Sequence, residues 1–207
     1  MFEHTVAGLF RSEWGSRLSA PALQALGEVG LDLSRPLLPA YSGETWARAL
    51  RIAAADLFPG QPPQASWRRL GQEVINGLVH TLVGNAMVNV ATLLGPLRFL
   101  RRLNPTLRNA DNYVESRVEE LGPTSCEVWF NEVMEQPAYH QGLLEALVAL
   151  AGGRDARSLP VLRGPGRALP RGVGGPRGRV TSTHMGNRGL SGSRLRRWIP
   201  IDPVCEA

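Results

Sequence analysis

Lysine is absent from this chain: every one of its 23 basic residues is arginine. We read that first as a mark of GC-rich coding and only second as chemistry. Cysteine is almost as scarce, and Cys126 and Cys205 permit at most one bridge, which excludes a disulfide framework. Cys126 falls on a predicted strand, where a thiol packs as a small hydrophobe. Catalytic motifs are missing too, with no nucleophile elbow, P-loop, dinucleotide fingerprint or clustered metal-ligand spacing. His4, His80, His140 and His184 stand far apart without cysteine at ligand spacing. No enzyme, no bound metal and no cofactor are therefore expected. Residues 1–4 carry neither a basic leader nor an apolar run, so no secretory signal and a cytoplasmic location are expected.

One long stretch lacks formal charge. Val74 to Leu97 is 24 residues long and so meets the length of a membrane-spanning helix. Asn76, His80, Thr81, Asn85, Asn89 and Thr92 interrupt it, and each amide would need a partner inside hydrocarbon. A buried core helix is expected there, with no membrane span.

The formal net charge of +5 is unevenly spread. Residues 1–152 hold 12 Arg against 15 acids, a net of −3, while residues 153–207 hold 11 Arg against 3 acids, a net of +8. From Arg154 onward glycine, proline and arginine dominate without helical or strand period, as in Arg171-Gly172-Val173-Gly174-Gly175-Pro176. Such a stretch cannot bury enough apolar surface to offset its ordering entropy. A single domain over 1–153 and a disordered tail over 154–207 are expected. The tail's charge suits RNA phosphate, yet Trp198 is its only aromatic residue, and no nucleic-acid partner is expected.

Within residues 1–153 the pattern is α+β: N-terminal helices, then a small antiparallel sheet with a covering helix. Ser19 with Pro21 opens a short helix that Gly30 stops. Ser42 caps a second, which turns Trp46, Ala49, Leu50, Ala53, Ala54 and Leu57 inward. A long helix is predicted over 66–95, broken by Gly95-Pro96 and followed by a short basic piece at 97–103. Residues 113–118 and 126–131 alternate with strand period around Gly122-Pro123, which makes a hairpin. Pro137 then opens a helix with Tyr139, Leu143, Leu144, Leu147 and Leu150 on its apolar side, closed by Gly152-Gly153.

Several short segments in order resemble a paralogous domain family of unknown function that is expanded in myxobacteria. They include Ala7-Gly8-Leu9-Phe10, Gly30-Leu31-Asp32-Leu33, Leu57-Phe58-Pro59-Gly60, Leu94-Gly95-Pro96, Asn112-Tyr113 with Glu115 and Arg117, Glu120-Leu121-Gly122-Pro123, and Trp129 with Asn131-Glu132. The resemblance covers residues 6–153 and implies that a further strand pair, ending near a Trp, should complete the sheet. The Arg/Gly/Pro tail stands in that place, as a reading-frame shift near residues 153–160 would leave it. The hairpin would then keep an unpaired edge.

The candidate site is Tyr113, Glu115 and Arg117, about 7 Å apart at successive positions on one strand face, with Trp129 and Asn131 beside them. These residues offer donors and a flat apolar wall to a polar or anionic group. Tyr-x-Glu-x-Arg is similar to the Tyr-x-Ser-x-Arg pattern of haem-nitric-oxide-binding domains, which, like four-vinyl-reductase and vesicle-tethering domains, place helices before a small sheet. His80 lies upstream on a predicted helix, as the haem-ligating His of those domains would. Glu115 replaces the Ser, however, and its carboxylate would repel haem propionates, so the resemblance extends to the fold and not to the haem. The expected function is a small-molecule-binding or sensory regulatory domain, with a pocket between the 66–95 helix and the sheet. The alternative is a protein-interaction module, such as a homodimer, with no ligand.

Overall fold

A computed structural model describes residues 1–134, 136–158, 161–162 and 197–204, with side chains described as far as residue 153. Among the described residues, eight α-helices precede or cover one antiparallel sheet. The helices are α1 (Glu3–Phe10), α2 (Ala20–Glu28), α3 (Gly43–Leu57), α4 (Pro63–Leu78), α5 (Leu82–Leu94), α6 (Pro96–Leu100), α7 (Leu103–Leu107) and α8 (Pro137–Leu150). The strands are β1 (Ser116–Gly122), β2 (Ser125–Phe130), β3 (Arg154–Ser158), β4 (Val161–Leu162) and β5 (Arg197–Val204), in the order β1-β2-β5-β3 with β4 also on β5. The α+β class and the order of helices before sheet are as the sequence pattern implies.

Local chemistry accounts for the best-defined helices. The Ser19 hydroxyl accepts from the Ala22 amide and caps α2, and the Ser42 hydroxyl does the same for Thr45 in α3. All six inward residues expected on α3 are buried. At the other end, Gly30 and Gly152 take the positive φ that stops α2 and α8. The chain opens with α1, which a 3-10 turn follows at Gly15–Arg17.

The predicted 66–95 helix is two helices, bent by 100° between α4 and α5. Thr81 makes the break, because its hydroxyl donates to the Leu78 carbonyl at 2.7 Å and accepts from the Gly84 amide at 3.1 Å. One side chain thus ends α4 and caps α5. No single helix among the described residues is long and apolar enough to cross a membrane, although α4 and α5 pass that test as a bent pair.

α4 and α8 lie side by side at the centre, α8 against the sheet and α1 and α3 against α4. Trp46, Phe99 and Phe130 are among the largest fully buried side chains, each contributing about 1.5–3 kcal/mol by leaving water. The hairpin pairs Ser116 with Phe130 and Arg117 with Trp129. Its far edge is not open, because β2 pairs with β5, Trp129 opposite Trp198. Parts of the stretch expected to lack regular structure, 154–158, 161–162 and 197–204, therefore belong to the sheet; an exposed β2 edge has free N–H and C=O groups that reward any strand able to pair. The rest of 154–207 lies outside the described residues.

Candidate ligand cavity

A cavity of about 50 Å³ lies between α3, α4 and α8 on one side and the start of the sheet on the other. Val74, Ile75 and Leu78 of α4 and Leu143 and Leu147 of α8 give it an apolar lining. Polar groups line it too, from Thr5, Thr106, Asp111, Tyr113 and Tyr139 as well as from Trp46 of α3 and His140 of α8. Trp46 is 1% exposed and His140 3%, both line the cavity, and neither the indole Nε1 nor the imidazole Nδ1 makes a well-formed hydrogen bond; the indole has only a weak contact with the Tyr139 hydroxyl and the imidazole one with the Gln136 carbonyl. A buried polar group left wholly unmatched costs about 1–3 kcal/mol, and two that are poorly matched on one side of a cavity leave part of that for a ligand to recover.

Burial works against the charged form of each titratable group here. His140 lies against Phe130 at 4.6 Å and Tyr139 at 5.2 Å between ring centroids. Burial pushes its pKa down to about 4, against a smaller pull from the Gln136 carbonyl. Burial raises the phenols of Tyr113 and Tyr139 well above their ordinary value, and the Asp111 carboxylate adds to both. Asp111 is itself raised by burial, with the Val114 and Tyr113 amides opposing. Its Oδ1 accepts from those amides at 2.7 and 3.1 Å, a turn that swings Tyr113 off the strand and into the cavity wall.

That turn separates the residues the sequence pattern grouped together. Tyr113 and Glu115 precede β1, and Tyr113 alone of the five reaches the cavity. Glu115 pairs with Arg108 at 3.1 Å. The Arg117 guanidinium lies 5.1 Å from the Trp129 ring centroid. This cross-strand pair occupies the sheet face opposite Phe130, a cavity residue. Asn131 fastens backbone: its Nδ2 donates to Tyr113 O at 2.9 Å, and its Oδ1 accepts from Glu115 N at 2.8 Å. Asn131→Ala is expected to cost about 1–2 kcal/mol, as one part-buried and one exposed hydrogen bond are lost, measured by urea denaturation. Sequence reasoning took Trp46 and Tyr139 as core and His140 as isolated. The available signal was His140 itself, four residues before Leu144 on an apolar helix face.

Tyr113 and Met134 are also walls of a neighbouring surface groove of about 400 Å³, which Gly43, Glu44, Arg51 and Glu132 line. The two residues separate the cavity from that groove, and Met134 has a φ of 51°, the only positive value among the described non-glycine residues.

The fold is that of H-NOX domains. Cs H-NOX bearing an unnatural amino acid is 14% identical with a TM-score of 0.61, over 99% of each chain. A Tt H-NOX mutant is 13% identical with a TM-score of 0.58, over 99% of this chain and 97% of its own. An oxygen-binding H-NOX domain related to soluble guanylate cyclases is 13% identical with a TM-score of 0.57, over 100% of this chain and 98% of its own. No curated protein matches the chain.

The residues present do not fit a haem. His80 is exposed in the turn between α4 and α5 and is not among the cavity residues. Arg117 and Glu115 are engaged away from the cavity, and 50 Å³ falls far below the roughly 300 Å³ of an ordinary cofactor pocket. The segments that resembled a myxobacterial family agree with a match that runs further, through residues 1–169, and the chain belongs to DUF2378, a family of proteins of unknown function.

Proposed function

We propose that this is a non-enzymatic sensory domain that binds a small neutral molecule in the cavity among α3, α4, α8 and β2. The observation that carries this reading is the pair of polar atoms without a well-formed hydrogen bond, Trp46 Nε1 and His140 Nδ1, on one side of the cavity. A ligand that accepts from the indole and meets the imidazole recovers what their burial costs. The H-NOX fold supports the reading, since one such neighbour is described as oxygen binding. A cytoplasmic setting belongs to the same proposal and is supported by the buried thiol of Cys126.

Size and charge narrow the ligand. The cavity is about a third of the roughly 150 Å³ that takes up benzene, so it suits a molecule of a few heavy atoms. With at most about 1.5 kcal/mol per heavy atom, four atoms bind with about 6 kcal/mol, a Kd of about 40 µM or weaker. An anion would meet the Asp111 carboxyl and lose its hydration, and is disfavoured. Acetone titrated into 15N-labelled protein is expected to shift the Trp46 indole N–H along a saturating curve. Shifts that scatter over the surface and rise linearly would contradict the proposal.

The second reading, an interaction module, is favoured by α5. That helix has no charged residue, and Leu82 and Leu93 are 94% and 85% exposed. With Ala86 and Val90 they form a stripe at helical spacing. Under this reading sedimentation equilibrium gives a concentration-dependent dimer that Leu82→Asp with Leu93→Asp dissociates. A monomer at about 100 µM, well above the Kd of an ordinary specific complex, would remove the reading.

A further inference from the structure

We propose that a second site, the cleft between the start of α4 and the Trp14–Arg17 segment, binds a small organic anion: a phosphate or carboxylate head joined to a short apolar body. The cleft has a volume of about 720 Å³ and shares no residue with the cavity, so it stands apart from the proposal above. Three guanidiniums and no carboxylate line it.

The arginines are held in place from behind. Arg68 donates through Nε and Nη2 to Glu145 at 2.7 and 2.5 Å, and Arg69 Nε lies 2.7 Å from Glu73. Both carboxylates are buried, and they fix the guanidiniums while Nη1 of Arg68 and both Nη groups of Arg69 keep donors for a ligand. Arg17 completes the set. Its guanidinium lies 4.4 Å from the Trp14 ring centroid and Arg69's lies 5.3 Å from it, and Arg17 has no carboxylate partner among the described residues. Two buried carboxylates against three guanidiniums leave one positive charge.

The helix adds to it. α4 starts at Pro63 after Pro62 without any side-chain cap, so the positive end of a 16-residue helix opens on the cleft, together with the side chains of Gln61 and Gln64. In a domain that is net negative over residues 1–152, this concentration of donors draws an anion here. Leu57, Phe58 and the Trp14 ring provide apolar surface for the body of the ligand.

Phenyl phosphate titrated into the full chain at about 0.15 M salt tests the site, with inorganic phosphate and phenol as comparison probes and 15N shifts as readout. Saturable shifts of the Trp14 indole and the Gln64 amide are expected, with inorganic phosphate at least about tenfold weaker and phenol inert. Arg17→Glu is expected to weaken phenyl phosphate at least about tenfold, and Arg17→Gln, which keeps the stem over Trp14, to weaken it less. Thermal midpoints of both variants report the fold, since Arg17 is exposed. Comparison with Arg17→Glu also separates this cleft from the 11 arginines of 153–207. Inorganic phosphate binding as tightly as phenyl phosphate, or phenyl phosphate binding unchanged in folded Arg17→Glu, would overturn the proposal.

Discussion

Gly142→Ala and Gly71→Ala each lose a large share of the domain's stability, whereas Gly27→Ala is neutral or slightly stabilising. Where α4 crosses α8, a Cβ on Gly142 runs into the Arg68 carbonyl, and a Cβ on Gly71 runs into the Tyr139 carbonyl. Both obstacles are backbone, so no side chain can rotate away. Relief requires the two central helices to separate, which loosens the packing of Leu70, Val74, Leu143 and Leu147 and widens the cavity. Overpacking of this kind costs about 3 kcal/mol or more, a large share of the 5–15 kcal/mol that holds an ordinary domain together. Gly27 lies in α2 with nothing within 4 Å of its Cβ position, and alanine there gains up to about 1 kcal/mol of helix propensity. Urea denaturation of the three variants measures the contrast. Equal midpoints would mean that α4 and α8 do not approach so closely.

Acid weakens the fold through one buried imidazole. In the unfolded chain His140 takes up a proton near its ordinary pKa of about 6.5, and in the folded protein only near about 4. Between those values the unfolded state holds more protons, so stability rises with pH across the window and falls as pH drops through it. The contribution is fully present above about 6.5 and is lost by about 4, a change of about 3 kcal/mol for a shift of this size. Asp111, whose carboxyl is raised by burial, changes stability in the opposite direction at the lower end. His140→Gln isolates the imidazole: its denaturation midpoint is expected to change much less between pH 6.5 and 4.5 than that of the wild-type chain. Parallel slopes would place the acid sensitivity elsewhere. Arg101 with Glu120, a fully exposed pair, is expected to add little that salt does not screen.

Caps and periods made much of the helical layer legible. Ser19, Ser42 and Pro137 mark the starts of α2, α3 and α8, and the inward face of α3 follows from spacing alone. The break at Thr81 was not legible, since no glycine or proline stands at residues 79–81 and a threonine hydroxyl does the work. β5 was hidden for another reason: Pro200 and Pro203 argue against a strand, and only pairing with β2 decides the matter. Of the candidate site, strand alternation correctly put Arg117 and Trp129 on one face. It could not show that the Asp111 turn carries Tyr113 to the other side, where it lines the cavity together with Trp46 and His140 from distant parts of the sequence. Sites assembled from core aromatics of three separate elements leave no local motif.

The central question is whether the cavity takes up a ligand. The most direct measurement is a crystal structure of the protein soaked in acetone, with a matched crystal pressurised with xenon. Acetone density is expected in the cavity with its oxygen within hydrogen-bond distance of Trp46 Nε1, and xenon in the same space. A cavity closed to both, with α5 faces of two molecules packed together in its stead, would contradict that expectation.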